Sequence, residues 1–295
     1  MVDLDDLMTE AQADDARELD LRSTGELVAL INRLDAGVPA AVAAAADALA
    51  GAIDEIVERL RRGGRLVYVG AGSSGRQAVA DAAECEATFS TAPGQVVAVF
   101  AGEDDAAEDD AEAGAQALDA LGVAQTDAVV GVSASGRTPY VLAALERAAA
   151  AGALAACVVS SPDSPLSRIT DREILVVVGP ELIAGSTRLK AGTAQKLVLN
   201  TISTVSMIRL GKVFDNLMVD VSAANDKLRD RARRIVETVA GVGSDEADAA
   251  LAAAGGSAKV AIVCLLEGLG AEAARERLAA AGGDLRTALG EQEPA

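Results

Sequence analysis

Five short apolar runs rich in β-branched residues constrain the fold of this chain more than any other feature. Most of them are separated by segments with helical patterns. Runs of this length with intervening helices are typical of a parallel sheet covered on both faces. The sequence therefore predicts an α/β fold in which helices sandwich a five-stranded parallel sheet, the strands being Arg65–Val69, Val96–Ala101, Ala128–Ser133, Ala153–Ser160 and Ile174–Val178.

Helical segments flank the sheet region on both sides. An Ala-rich helix is predicted from about Pro39 to Arg62, and a long helix from about Thr193 to Arg209. The sequence after about residue 230 contains no strand-like run, which predicts a small C-terminal helical bundle. We expect three parts: an N-terminal helical segment over 1–50, a sheet domain over 51–230 and a C-terminal helical domain over 231–295.

The absence of histidine restricts the chemistry. The chain has 295 residues without a single histidine, and its 26 Lys and Arg against 45 Asp and Glu give a formal net charge of −19. Ser-His-Asp and Cys-His nucleophilic chemistry and the usual His-containing catalytic zinc sites are therefore excluded. Any acid–base catalysis must use Asp, Glu, Lys, Tyr or Cys. The acidity argues against nucleic acid and anionic membranes as partners, because basic surfaces bind both.

Targeting signals and cysteines indicate where the chain works. The first six residues, Met1 to Asp6, have neither a basic region nor an apolar core, so we expect no secretory signal there. Every stretch of about 18 residues contains a charge, so we expect no membrane-spanning helix. Three widely spaced cysteines, an odd number, indicate reduced thiols. We therefore expect a soluble, cytoplasmic protein.

Glycine- and hydroxyl-rich turns follow three of the predicted strands. The first, Gly70–Gly75, matches the G-x-G-x-x-G of dinucleotide-binding folds, but the next strand ends near Glu103, too far along for the usual acidic residue. Its serines suit a phosphate monoester at a helix N-terminus better. The other turns are Ser133–Pro139 and Gly185–Lys190. N-capping explains any one turn alone, but three turns at one sheet edge, each containing an arginine or directly followed by one, favour phosphate binding.

Longer blocks of sequence resemble a known enzyme family. The pattern Ser133-x-Ser135-Gly136-x-Thr138 after a strand resembles the phosphate loop of sugar isomerase (SIS) domains, which bind phosphosugars. Nearly the whole chain resembles N-acetylmuramic acid 6-phosphate etherase, most clearly in the blocks Gly70–Arg76, Ala83–Cys85, Ala134–Tyr140, Lys190–Asn200 and Gly211–Asp220. This resemblance implies a SIS, flavodoxin-like fold and an enzyme that needs neither a metal nor a cofactor.

The family's reaction, as the resemblance implies it, removes D-lactate from C3 of N-acetylmuramic acid 6-phosphate in cell-wall amino-sugar recycling. A base takes the C2 proton of the open-chain aldehyde, lactate leaves with help from an acid, and water then adds to the unsaturated intermediate. Carried over by motif, Glu84 in Ala83-Glu84-Cys85 is the acid and Glu108 in Ala107-Glu108-Asp109 is the base. From the residues alone, both glutamates equally fit solvated helix or acidic-run positions.

The expected phosphate ligands lie in the three turns. They are Ser73, Ser74, Ser133, Ser135 and Thr138, with Ser186 and Lys190 as weaker candidates. Glu84 should lie about nine residues into its helix, roughly 13 Å from the phosphate-binding end. Because a hexose phosphate scarcely spans that distance, we expect Glu84 to serve a neighbouring subunit, in a homodimer with shared active sites.

An anionic substrate must approach an acidic protein, so a local positive patch is expected at the carboxyl edge of the sheet. Its members would be Arg76, Arg137, Arg188 and Lys190. Two other functions stay open. A phosphosugar aldose–ketose isomerase would also use a glutamate base but would release no lactate. A non-enzymatic phosphosugar-sensing regulator, like the glucokinase regulatory protein, strings together two such modules, whereas this chain has length for one.

Overall fold

The computed structural model describes residues 10–13, 16–220 and 226–290, apart from the side chain at position 105. The chain forms two compact units. Met1–Ala83 and Gly94–Ser203 make up the first, and Glu84–Pro93 and Thr204–Ala295 the second. The three-part division expected from the sequence stays a prediction.

A five-stranded sheet forms the centre of the first unit. Its strands are β1 (Leu66–Gly70), β2 (Val96–Phe100), β3 (Ala128–Val132), β4 (Leu154–Val159) and β5 (Arg172–Leu175). They lie in the order β2-β1-β3-β4-β5, and every neighbouring pair is parallel. This is the flavodoxin-like strand order, so the predicted fold class is confirmed.

The fifth strand differs from its prediction. β5 begins two residues earlier than expected and pairs residue for residue with Ala156–Val159 of β4. The last hydrogen bond at this edge runs from the Val176 N–H to the Val159 carbonyl, at 2.8 Å. Apolar residues continue to Val178 after the chain has left the sheet. The apolar run Ile174–Val178, which predicts the strand, therefore begins two residues and ends three residues after the segment that pairs in the sheet.

Seven α-helices begin within the described part of the first unit. They are α1 (Thr24–Asp35), α2 (Val38–Ala44), α3 (Ala46–Arg61), α4 (Gly72–Phe89), α5 (Ala111–Leu121), α6 (Pro139–Ala150) and α7 (Lys190–Arg209). The single helix predicted up to Arg62 is interrupted at Ala45. The Ala45 N–H bonds to the carbonyl of Val42, three residues back instead of the four of an α-helix.

Helices cover the sheet on both faces. Val67 and Val69 of β1 pack into an apolar cluster with Leu118 of α5 and Leu145 of α6. Side chains alternate along a strand, so the intervening Tyr68 points to the other face, and it too is completely buried. β1, β3 and β4 are buried at every residue, which explains why their runs are continuously apolar.

The second unit is helical. Beyond the ends of α4 and α7 it contains α8 (Asp226–Ala240), α9 (Ser244–Ala253), α10 (Ala258–Glu267), α11 (Ala271–Ala280) and α12 (Leu285–Ala288). Its core includes Ile235 of α8 and Ile262 of α10. Lys259 is buried there and donates to Asp220 Oδ2 at 2.9 Å and to the Gly283 carbonyl at 2.6 Å. The predicted C-terminal helical bundle is confirmed.

Among the described residues, one segment is long and apolar enough to cross a membrane by length and composition alone. This segment, Thr24–Ala44, comprises α1 and α2 and carries Glu26, Arg33 and Asp35. A second candidate arises only if α9 and α10 count as one span, and they meet at an angle of 111°.

Candidate active site

The turn after β1 leads directly into α4. A Cβ on Gly70 would lie 2.8 Å from Gly75 Cα, and one on Gly75 would lie 2.7 Å from the Gly70 carbonyl oxygen. Both positions therefore require glycine, because the helix starts against the end of the strand. This places the first backbone N–H groups of α4 at the carboxyl edge of the sheet, where a helix N-terminus attracts anions.

Ser73 and Ser74 both lie in the first turn of α4. Ser73 is exposed, whereas Ser74 is half-buried. The Ser74 hydroxyl donates to Oε1 of Gln195, on α7, at 3.0 Å. The two serines thus lie within the N-terminal end of α4, instead of in a turn before the helix as the sequence predicts.

The turn after β3 is closed by its own hydroxyl groups. Ser133 Oγ and Thr138 Oγ1 lie 2.9 Å apart, and the Gly136 N–H donates to Ser133 Oγ at 3.1 Å. The Arg137 N–H donates to Ser135 Oγ at 3.3 Å. Ser133 is buried, and Ser135 and Thr138 are half-buried. The turn is thereby held in one shape immediately before α6.

The first two turns are neighbours. β1 and β3 are adjacent strands, and Gly70 at the end of β1 pairs with Val132 at the end of β3. The structure therefore brings the hydroxyls of the two turns to one stretch of the carboxyl edge, the position at which flavodoxin-like sheets bind ligands.

The third turn differs from the prediction. Lys190 is the first residue of α7 instead of a loop residue, and its buried ammonium group donates to the Val178 carbonyl at 2.6 Å. The buried Glu181 carboxylate accepts the N–H groups of Lys190, at 3.0 Å, and of Ala191, at 2.9 Å. The start of α7 thus already holds an anionic group. Ser186 lies half-buried in the preceding turn.

Glu108 lies beside the first turn. It is exposed on a short 3₁₀ helix, Asp105–Asp109, that follows β2. Together with Ala71, Gly72 and Arg76 it lines a cavity of about 20 Å³, which has room for a water-sized group. The structure therefore brings the carboxylate expected to act as the base to the start of α4.

Glu84 lies further along α4, in the part of the helix that belongs to the second unit, and it is exposed. The helix begins at Gly72, three residues earlier than the sequence analysis assumed, because the Gly75 N–H already bonds to the Ala71 carbonyl at 2.9 Å. Glu84 therefore follows the helix start by twelve residues, which is about 18 Å along the axis.

Two members of the expected positive patch, Arg76 and Lys190, already have partners. Arg76 lies 3.2 Å from Glu103 in an exposed ion pair, and its guanidinium group lies 5.9 Å from the centre of the Phe100 ring. The Lys190 ammonium is turned towards a backbone carbonyl, whereas Arg188 is exposed. Exposed ion pairs are weak in water, so Arg76 can exchange Glu103 for another anion at little cost.

Two buried residues that the sequence analysis did not single out support this edge of the sheet. Glu181 caps α7 from nine residues upstream, and no local pattern identifies such a contact. Gln195 lies in the block Lys190–Asn200, which resembles the etherase family, and this resemblance is the one sequence signal that points to it. Within the described residues, no group of three or more His, Cys, Asp or Glu side chains is placed to hold a metal ion.

Comparisons with known proteins agree on the family. A model of the N-terminal SIS domain of the glucokinase regulatory protein matches residues 48–149, and a SIS domain model matches residues 110–204. The chain is 60% identical over 270 residues to an N-acetylmuramic acid 6-phosphate etherase from Rubrobacter xylanophilus, covering 89% of this chain and 90% of that protein. It is 50% identical over 296 residues to the protein of the same name from Mycolicibacterium smegmatis, covering 98% of this chain and 99% of that protein.

A solved structure supports the fold. A phosphoheptose isomerase from Francisella tularensis matches with a TM-score of 0.52 and 18% identity, covering 63% of this chain and 100% of that chain. At this level of identity the likeness concerns the fold alone. The sequence matches reach much further, since they run through both units at half or more of the positions. The chain belongs to the N-acetylmuramic acid 6-phosphate etherase family.

Proposed function

We propose that this protein is a carbon–oxygen lyase that cleaves the D-lactyl ether of N-acetylmuramic acid 6-phosphate. The products are N-acetylglucosamine 6-phosphate and D-lactate, and the reaction serves cell-wall amino-sugar recycling. The observation that carries the proposal is the 60% identity, over 89% of the chain, to a relative named for this activity. The two hydroxyl-lined turns at one sheet edge support it, because they suit the phosphate of such a substrate.

The phosphate is held by the first two turns. Ser73 and Ser74 supply hydroxyls at the start of α4, where the helix dipole also attracts the anion. Ser133, Ser135 and Thr138 supply the hydroxyls of the second turn. Ser186 is a further candidate. Lys190 would first have to release the Val178 carbonyl, so its contribution is the least direct.

Elimination followed by hydration needs two carboxyl groups. Glu108 takes the C2 proton of the open-chain aldehyde, and the electron pair left on C2 forms the C2–C3 double bond as the C3–oxygen bond breaks. Glu84 gives a proton to the departing lactate oxygen, and water then adds at C3 while C2 regains a proton. The position of Glu108 beside Gly72 and Arg76 supports its role as the base.

The distance along α4 supports a shared site. A hexose phosphate is much shorter than the roughly 18 Å of helix between Gly72 and Glu84. Glu84 therefore completes the site of a second copy, and the active unit is a homodimer. Helices of the first unit also expose single apolar side chains, which a second copy would cover wherever it packs on them: Val28 and Ile31 on α1, Val79 on α4 and Leu197 on α7.

The reaction takes place in the cytoplasm. The odd number and wide spacing of the cysteines fit a reducing compartment.

Incubation with N-acetylmuramic acid 6-phosphate and an assay for D-lactate test the proposal. We expect D-lactate and N-acetylglucosamine 6-phosphate in equal amounts. Isomerised sugar phosphate without lactate would identify an aldose–ketose isomerase. Ligand-induced thermal stabilisation without any turnover would identify a phosphosugar-sensing regulator. Either result would refute the etherase.

A further inference from the structure

The contact between Ser74 and Gln195 joins α4 to α7 within the first unit. The Ser74 hydroxyl donates to Gln195 Oε1 at 3.0 Å. Gln195 is only 2% exposed, and its Nε2 has no hydrogen-bond partner among the described residues. Leaving a buried donor unpaired costs free energy, and buried polar groups without a partner are rare in native proteins.

The present direction of this hydrogen bond conflicts with phosphate binding. A serine hydroxyl carries one proton, and a phosphate dianion can only accept. If the Ser74 proton goes to Gln195, Ser74 offers the phosphate nothing but lone pairs. Donation to Gln195 and donation to phosphate therefore exclude each other.

A half-turn of the Gln195 carboxamide about its last side-chain bond removes the conflict. The half-turn brings Nε2 to the place of Oε1, so that Nε2 donates to Ser74 Oγ and the Ser74 proton is released. With Oε1 facing Ser74, both N–H bonds of the amide are unpaired. With Nε2 facing Ser74, one N–H bond and the carbonyl oxygen are unpaired. Because each orientation leaves two polar groups unpaired, the free energies of the two are similar. A charge-assisted hydrogen bond from Ser74 to the ligand then favours the orientation in which Nε2 faces Ser74.

We propose that Gln195 is a positioning residue that switches Ser74 from donating to the protein to donating to the substrate phosphate. This inference rests on the proposed function, because it requires a phosphate ligand at the start of α4. The unpaired Nε2 thereby gains a purpose, since it is the donor that holds Ser74 Oγ once the ligand has bound.

Two substitutions of similar size test the switch. Gln195→Glu removes both donors, and its carboxylate keeps the Ser74 proton. We expect the dissociation constant for N-acetylglucosamine 6-phosphate to rise about 30-fold, as for the loss of one hydrogen bond to a charged group. Gln195→Met makes no hydrogen bond and leaves the proton free, so the rise should be about threefold. If Gln195 merely ties α4 to α7, Gln195→Met will weaken binding at least as much as Gln195→Glu, and the proposal is overturned.

The added charge of Gln195→Glu needs its own control. In a Ser74→Ala background there is no proton to capture, so Gln195→Glu should weaken binding by about threefold or less. An equal loss in both backgrounds would show that charge alone acts, which would overturn the switch. Thermal melts followed by circular dichroism establish that each variant is folded. A wild-type protein that binds no phosphosugar would instead refute the proposed function itself, and the switch with it.

Discussion

Ser133 Oγ and Thr138 Oγ1 lie 2.9 Å apart and close the turn between β3 and α6. Gly136 makes this closure possible. Its φ is +65°, and a Cβ there would lie 2.4 Å from Ser164 Oγ, on the segment that follows β4. The backbone conformation and the close approach thus both require glycine in the middle of the turn.

We expect Gly136→Ala to destabilise the protein by about 2 kcal/mol, because it adds backbone strain and a side-chain clash. The distorted turn should also weaken the binding of N-acetylglucosamine 6-phosphate about tenfold or more. Urea unfolding and calorimetric titration measure the two effects. Gly51→Ala is the matched control, since nothing lies within 4 Å of the added carbon inside α3. Gly51→Ala should stabilise the protein by about 0.5–1 kcal/mol. A Gly136→Ala variant that is stabilised in the same way would contradict our account of the turn.

The two glutamates should separate in deuterated water. Glu108→Ala removes the base, so exchange at C2 and lactate release should both fall about 10²- to 10⁴-fold. Glu84→Ala removes only the acid, so C2 exchange should continue while lactate release falls. Proton NMR of the sugar follows the exchange, and Glu112→Ala, in the first turn of α5, is the control expected to keep both activities. Exchange that survives Glu108→Ala but not Glu84→Ala would reverse the two roles.

A shared site predicts that two inactive variants restore each other. In a dimer of one Glu84→Ala chain and one Glu108→Ala chain, one site has both glutamates and the other has neither. Random mixing makes half of the dimers mixed, so activity should return to about a quarter of the wild-type value. Each variant alone, refolded in the same way, is the control. If each chain carries its own complete site, the mixture will stay inactive.

The Arg65–Asp127 pair should make stability depend on acid pH. Burial alone would raise the pKa of Asp127, but hydrogen bonds from the Arg65 side chain and from the N–H groups of Ala124 and Arg65 outweigh burial and lower it. A lowered pKa means that the pair stabilises the fold fully above about pH 4 and loses this contribution as the pH falls through the lower folded value. Asp127→Asn should therefore cost about 1–3 kcal/mol at pH 7 and progressively less below about pH 4.

Urea unfolding of wild type and variant across this pH range checks the expectation. The exposed pair between Arg147 and Asp119 is the comparison, because exposed pairs contribute little. Asp119→Asn should change the free energy of unfolding by less than about 0.5 kcal/mol at either pH. A loss at Asp127 that stays constant from pH 7 to pH 3 would show that the carboxylate charge is not what stabilises the pair.

The fold could be predicted from the sequence because its signals are local. Four strands lie within one residue of their predicted bounds. Three of them, β1, β3 and β4, are buried along their whole length, and such strands are uniformly apolar. The turns after β1 and β3 were likewise predictable, because glycine and hydroxyl residues at a strand end produce them directly. The etherase family was identified from blocks of sequence and then confirmed by identity over nearly the whole chain.

The contacts that tune the site could not be predicted, because they join distant segments. Lys190 was expected in a loop, but the Glu181 carboxylate accepts its N–H and extends α7 to include it. Gln195 reaches Ser74 from 121 positions away. Neither contact has a signature in the sequence, because the partners meet only in the folded chain. In each contact a buried polar group, the Glu181 carboxylate or the Gln195 carboxamide, depends on its hydrogen-bond partner for what it does in the site.

Isotopic analysis of the lactate released in ¹⁸O-labelled water tests the central claim most directly. Elimination breaks the C3–oxygen bond, so the ether oxygen leaves with lactate and the water oxygen enters the sugar at C3. We predict that N-acetylmuramic acid 6-phosphate yields D-lactate without ¹⁸O, in an amount equal to the N-acetylglucosamine 6-phosphate formed. A folded protein that binds the phosphosugar and releases no lactate, or releases lactate carrying ¹⁸O, would contradict the account.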